Sequence, residues 1–174
     1  MVKWYKNIFE SFDTDLIDSN RDIYVTEIDS IDFAYHDLAQ LQIDLVCMLS
    51  RKNEDYFREI MEKLIQKFHN QKRELDKDIF NKITIALCTS IKPEKVFMEF
   101  ATIFHKMTDL DFVYDMIETL TFGIAASPFY KALRGKLYGT VPTDFAKDKE
   151  DLFVHLFNSW CINPISTLTL CLLS

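Results

Sequence analysis

Three glycines in 174 residues, at 123, 135 and 139, leave this chain few places to turn sharply. Sandwiches and barrels depend on tight turns that use glycine, and nucleotide sites depend on Gly-rich loops; neither has material here. There is no phosphate loop and no dinucleotide fingerprint. What remains is an all-helical chain. Its 48% apolar residues, among them 15 Phe, are enough to build a core at this length.

Charge is unevenly placed. Between Glu10 and Asp32 eight acids (Glu10, Asp13, Asp15, Asp18, Asp22, Glu27, Asp29, Asp32) stand against Arg21, which accounts for the whole net charge of −7. The rest is neutral and carries no basic stripe, so nucleic acid is excluded as a partner. Ile162 to Leu173, the longest apolar stretch, is too short to span a bilayer, and the N-terminus has no signal-peptide core. The reading is a soluble, intracellular chain. Cysteines at 47, 88, 161 and 171 show no CxxC spacing and sit in apolar helical contexts, which makes them small buried hydrophobes.

Apolar spacing organises the chain into helices. Trp4, Ile8, Phe9 and Phe12 start one, followed by the acidic stretch as a loop, so residues 1–32 form an N-terminal helix and acidic loop. From Phe33 a stripe of Leu38, Leu41, Leu45, Met48 and Leu49 leads to Asn53, which caps a helix bearing Phe57, Ile60, Met61, Leu64, Ile65 and Phe68. Glu59 and Lys63 belong to that helix's solvated face. A helix from about Lys77 to Ser90 precedes one opened by Pro93 and reaching Met107. Asp109 caps the next, through Ala126; Ser127 and Pro128 start a short one that ends near Gly139. About Lys149 to Trp160, and Pro164 to the end behind an Asn163 cap, complete the series. The pairs begin near 36, 76, 110 and 148, a spacing of 34 to 40 residues that predicts HEAT- or armadillo-like stacked helical hairpins over 33–174. A solenoid needs polar caps, and the last helix ends on Leu170-Cys171-Leu172-Leu173-Ser174 without one. The natural protein is therefore expected to continue past Ser174.

Chemistry-bearing constellations are sparse. His36, His69, His105 and His155 lie too far apart for a local metal motif, so no metal or cofactor is expected. Asp111, Asp115 and Glu118 share one helix face and would suit Mg²⁺ against a diphosphate, as in all-helical prenyl-transfer enzymes. That chemistry needs a second acidic motif, and the run at 10–32 supplies none at helical spacing. His155 and Ser159, at i and i+4, have the spacing of a base and nucleophile, but no Gly-flanked elbow or oxyanion donor accompanies them, nor does Cys161 add one. Lys131, Arg134 and Lys136 are too few for a polybasic lipid site and read as a solvated face. No catalytic residue is assigned.

One segment is distinctive. Asp151-Leu152-Phe153-Val154-His155-Leu156-Phe157-Asn158-Ser159-Trp160-Cys161-Ile162-Asn163-Pro164, with the Ser/Thr-containing apolar helix ending Leu170-Cys171-Leu172-Leu173, closely resembles a segment of the Vac vacuole-morphology scaffold family. That family carries Ser-Trp-Cys-His-Asn-Pro here, with Ile162 standing in this chain where the family has His. Leu110 to Leu120, Leu133 to Leu137 and Asp37 to Ser50 extend the resemblance, so it covers about Phe33 to Ser174. The acidic insertion before Ile31 has no counterpart in it.

The resemblance implies a non-catalytic, helical-repeat scaffold. It would organise a PIKfyve-type lipid kinase and a Sac-type inositide phosphatase that together control phosphatidylinositol 3,5-bisphosphate. It further implies a homo-oligomer in the full-length form and a cytoplasmic protein held peripherally on endosome or vacuole membranes through the complex, with only indirect membrane contact. A generic HEAT-like adaptor of trafficking is the alternative. The candidate packing and interface residues are Leu156, Trp160, Asn163, Pro164, Leu168 and Leu172, with Trp160 as the anchor where the last two helices meet.

Overall fold

The computed structural model describes residues 54–70, 77–138 and 152–174. The expected helices before Asn53, the Asn53 cap, the acidic loop, His36, Cys47, the stop at Gly139 and the start near Lys149 lie outside the described residues. Every regular element among the described residues is helical, as the glycine scarcity requires.

Two compact units divide the chain between Ile91 and Lys92. In the first, α1 (Glu54–Asn70) and α2 (Lys77–Ser90) are described. Tyr56, Phe57, Ile60, Met61, Leu64, Ile65 and Phe68 of α1 are buried, a pattern that repeats every three to four residues along one side. The exposed side is Arg58, Glu62 and Gln66; Glu59 and Lys63, expected to be solvated, are half-buried flanks. Phe80, Ile83, Thr84, Leu87 and Cys88 give α2 its inner stripe. Phe68 meets Phe80 edge to face at 5.1 Å, which pins α1 against α2. Thr84 is tolerated inside because its hydroxyl donates to the Phe80 carbonyl at 2.9 Å.

The second unit, Lys92–Ser174, contains α3 (Pro93–Lys106), α4 (Leu110–Ala126), a 3₁₀ turn (Pro128–Tyr130), α5 (Lys131–Leu137), α6 (Leu152–Trp160) and α7 (Pro164–Leu173). Local chemistry sets the boundaries. Pro93 occupies the first turn of α3, where its missing N–H leaves no intrahelical bond unmade. The Asp109 carboxylate accepts from the Phe112 N–H at 3.1 Å and starts α4. Asn163 does the same for α7 through the Ser166 N–H at 3.0 Å. Ser127 caps the segment after α4, but Pro128 opens a 3₁₀ turn before the short α5 rather than one continuous helix.

The last two helices lie on earlier ones: α6 packs along α3, α7 packs on α4, and α6 touches α7. Stacking of this kind is what a helical solenoid does, because each hairpin has an apolar face that only a neighbour can cover. The 3₁₀ turn joins the same core. Tyr130 is buried and sits edge to face on Phe97 of α3 at 5.6 Å.

Candidate functional site

The six candidate residues divide into an inner and an outer set. Leu156, Trp160 and Asn163 are buried, whereas Pro164, Leu168 and Leu172 face outward. The inner set is held by polar contacts that the apolar pattern alone does not reveal. Trp160 is fully enclosed, and its indole N–H donates to the Thr121 hydroxyl of α4 at 2.8 Å. That hydroxyl in turn donates to the Ile117 carbonyl at 2.7 Å, so both polar hydrogens are satisfied inside the core. The Thr167 hydroxyl, 2.6 Å from the Trp160 carbonyl and 2.9 Å from the Asn163 carbonyl, shares its one hydrogen between them and locks the tight turn between α6 and α7.

His155 and Ser159 are not turned toward each other's chemistry. Ser159 is buried and donates to the Ala101 carbonyl of α3 at 2.8 Å. His155 Nε2 lies 3.0 Å from the Thr102 hydroxyl, which also bonds the Met98 carbonyl at 2.9 Å. With the single Thr102 hydrogen on Met98, its oxygen is left to accept from the Nε2–H tautomer of His155. Both side chains therefore serve as clasps between α6 and α3, the packing role that the missing elbow and oxyanion donor left for them.

The basic trio also departs from a plain solvated face. Arg134 is half-buried, and one guanidinium nitrogen donates to the Ile124 and Ser127 carbonyls at 2.5 and 2.8 Å, capping the end of α4. Lys136 forms an ion pair with Glu94 of α3. Partial burial pushes the Glu94 carboxyl up, but the hydrogen bond from Lys136, a backbone hydrogen bond and the charges of Lys136 and Lys92 outweigh it and hold the group below its ordinary range. Lys131 is exposed. The reason sequence reading missed these roles is range: Arg134 reaches back ten residues and Lys136 bonds across the fold.

Asp111, Asp115 and Glu118 occupy the outer face of α4, as their spacing predicts. Among the described residues no group of three or more His, Cys, Asp or Glu side chains is placed to hold a metal ion. The cysteines need a correction. Cys88 is buried as expected, but Cys161 and Cys171 are exposed, the first at the turn after α6 and the second on the outward side of α7.

That outward side exposes apolar side chains in a row. Ile165, Leu168 and Leu172 are 72%, 62% and 78% exposed and fall at i, i+3 and i+7, so they form one row. Only Ser166 and Leu170 of α7 are buried. From Leu152 to Ser174 the chain has no Asp, Glu, Lys or Arg, and the row is therefore apolar without a charged rim of its own. Among the described residues no helix is long and apolar enough to cross a membrane.

The model of a protein family described as "Vacuolar protein 14 C-terminal Fig4p binding" matches residues 72–174, more than half of the chain. The chain belongs to this family. All of α2 through α7 falls within the Vac14 match, and so do the six candidate residues. The chain is similar to Protein VAC14 homolog of Arabidopsis thaliana, at 25% identity over 173 residues, 99% of this chain and 23% of that protein. It is also similar to Vacuole morphology and inheritance protein 14 of Saccharomyces cerevisiae, at 27% identity over 98% of this chain and 18% of that protein. Protein VAC14 homolog of Schizosaccharomyces pombe is 33% identical over 94 residues, 54% of this chain and 11% of that protein. The chain thus spans less than a quarter of the length of these Vac14 relatives. The first two alignments take in nearly the whole chain, including the acidic stretch that the resemblance beginning at Phe33 left out. No solved structure matches.

Proposed function

We propose that this chain is part of a non-catalytic scaffold that gathers a Sac-type inositide phosphatase and a PIKfyve-type lipid kinase, so that the level of phosphatidylinositol 3,5-bisphosphate is set by their shared position. The observation that carries the reading is the match of residues 72–174 to a family described by Fig4p binding. We identify that partner with the phosphatase of the resemblance. The physical form of the site supports protein contact: the outward α7 row is apolar and uncharged, and the His155–Ser159 pair is occupied by contacts to α3. In this reading Leu156, Trp160 and Asn163 hold the platform, and Pro164, Leu168 and Leu172 present its contact face. The scaffold self-associates in its full-length form and sits peripherally on endosome or vacuole membranes through the complex.

The test uses the full-length protein carrying Leu168→Asp and Leu172→Asp. Exposed positions tolerate charge, so helicity and melting temperature should stay as in the parent while co-purification of the phosphatase is lost. A doubly substituted protein that still retrieves both enzymes removes the α7 face from the proposal. An unsubstituted protein that retrieves neither removes the scaffold reading itself.

A further inference from the structure

The corner between α4 and α5 carries a feature that the scaffold reading does not use. Ser127-Pro128 is the one Ser-Pro or Thr-Pro pair in the sequence. Ala125, Ala126, Pro128 and Phe129 around it are all exposed, with Ser127 itself half-buried. The Ser127 backbone is extended (φ −77°, ψ 128°), and no peptide bond in the described residues is cis. A serine presented in extended backbone ahead of a trans proline is the form that a proline-directed protein kinase accepts. Its hydroxyl is only weakly held, accepting from the Phe129 N–H at 3.3 Å in an exposed bond.

The surroundings are also prepared for a phosphate. The Arg134 guanidinium already lies on the Ser127 carbonyl at 2.8 Å, and Lys131, four residues on, is exposed. A phosphate here brings roughly −1.5 to −2 charges to the C-cap of α4, where negative charge is ordinarily disfavoured, so its ordering effect rests on pairing with the Arg134 guanidinium. We infer that Ser127 is a site of proline-directed phosphorylation whose phosphate is received by Arg134 and Lys131, tightening the α4–α5 corner. In the transfer, the Ser127 Oγ bonds to the γ-phosphorus of ATP and the bond from that phosphorus to the β,γ-bridging oxygen breaks. ADP leaves, and the hydroxyl proton passes to the kinase's base.

The experiment incubates the folded 174-residue chain with Mg·ATP and a purified proline-directed Ser/Thr kinase, followed by mass spectrometry of the intact chain and its peptides. One phosphoryl group on Ser127 is expected, absent from Ser127→Ala and at least tenfold slower in Pro128→Ala. The phosphorylated chain should melt higher than the unmodified one, and Arg134→Gln should abolish that increase. Phosphate appearing only in heat-unfolded chain, or at an equal rate in Pro128→Ala, overturns the site. A phosphorylated chain with no Arg134-dependent rise overturns the receiving role. Neither result touches the scaffold reading, whose test is co-purification.

Discussion

Thr121 is a β-branched polar residue in an otherwise apolar stretch of α4, and its value emerges only when Trp160 arrives from 39 residues away. Replacing it with Val keeps the shape but leaves a buried indole N–H without an acceptor. We expect Thr121→Val to cost about 1 to 3 kcal/mol, read from the urea midpoint, and the cost to shrink in a Trp160→Phe background, where no N–H is stranded. Trp160→Ala should cost about 3 to 5 kcal/mol, a large part of the stability of a typical domain. An unchanged urea midpoint would contradict the enclosure of the ring. The apolar spacing identified Trp160 as a core residue, but the helical code is silent on hydrogen-bond partners, which are set by how two helices are placed. Ser159 and His155 show the same gap: their spacing was legible, and their partners Ala101 and Thr102 were not.

At the level of elements, the helix boundaries were well marked, because caps and prolines are local signals. Asp109, Asn163, Pro93 and Pro164 each stand at the start they announce. The end of α4 is different, since its last carbonyls are satisfied by Arg134 from the next helix. Arg134→Met should lower stability by about 1 to 3 kcal/mol, more than a surface substitution, and the loss should appear in thermal melts. The Lys136–Glu94 pair ties α5 to α3 and adds a pH dependence. Glu94 is held below its unfolded value, so the folded state favours its charged form. Its contribution is present above the unfolded carboxylate pKa of 4.5 and is lost as pH falls through the lower folded value. With one partner largely exposed, the pair contributes about 0 to 1 kcal/mol. Lys136→Met should therefore reduce stability at pH 7 by no more than that and flatten the acid limb of the stability profile. A parallel shift of the whole profile would argue against the pair.

For the whole molecule, the exposed α7 row makes a prediction about association. Ile165, Leu168 and Leu172 present apolar surface to water, so the isolated chain should associate with rising concentration in sedimentation velocity, and Leu168→Asp with Leu172→Asp should suppress this without loss of helicity. Persistent association in that variant would place the sticky surface elsewhere. Among the described residues the all-helical class, the starts of α3, α4 and α7 and the apolar character of α6 and α7 were determined by sequence alone, because glycine content, capping and periodicity act within a few residues. Which helix covers which was decided by tertiary structure. Helices α6 and α7 are both apolar with no acid, lysine or arginine, and nothing local distinguishes Leu170, which is buried, from Leu168 and Leu172, left in solvent. An apolar helix declares that it needs a partner; only the packing against α3 and α4 selects the residues that find one, because burial depends on the direction from which a neighbour approaches.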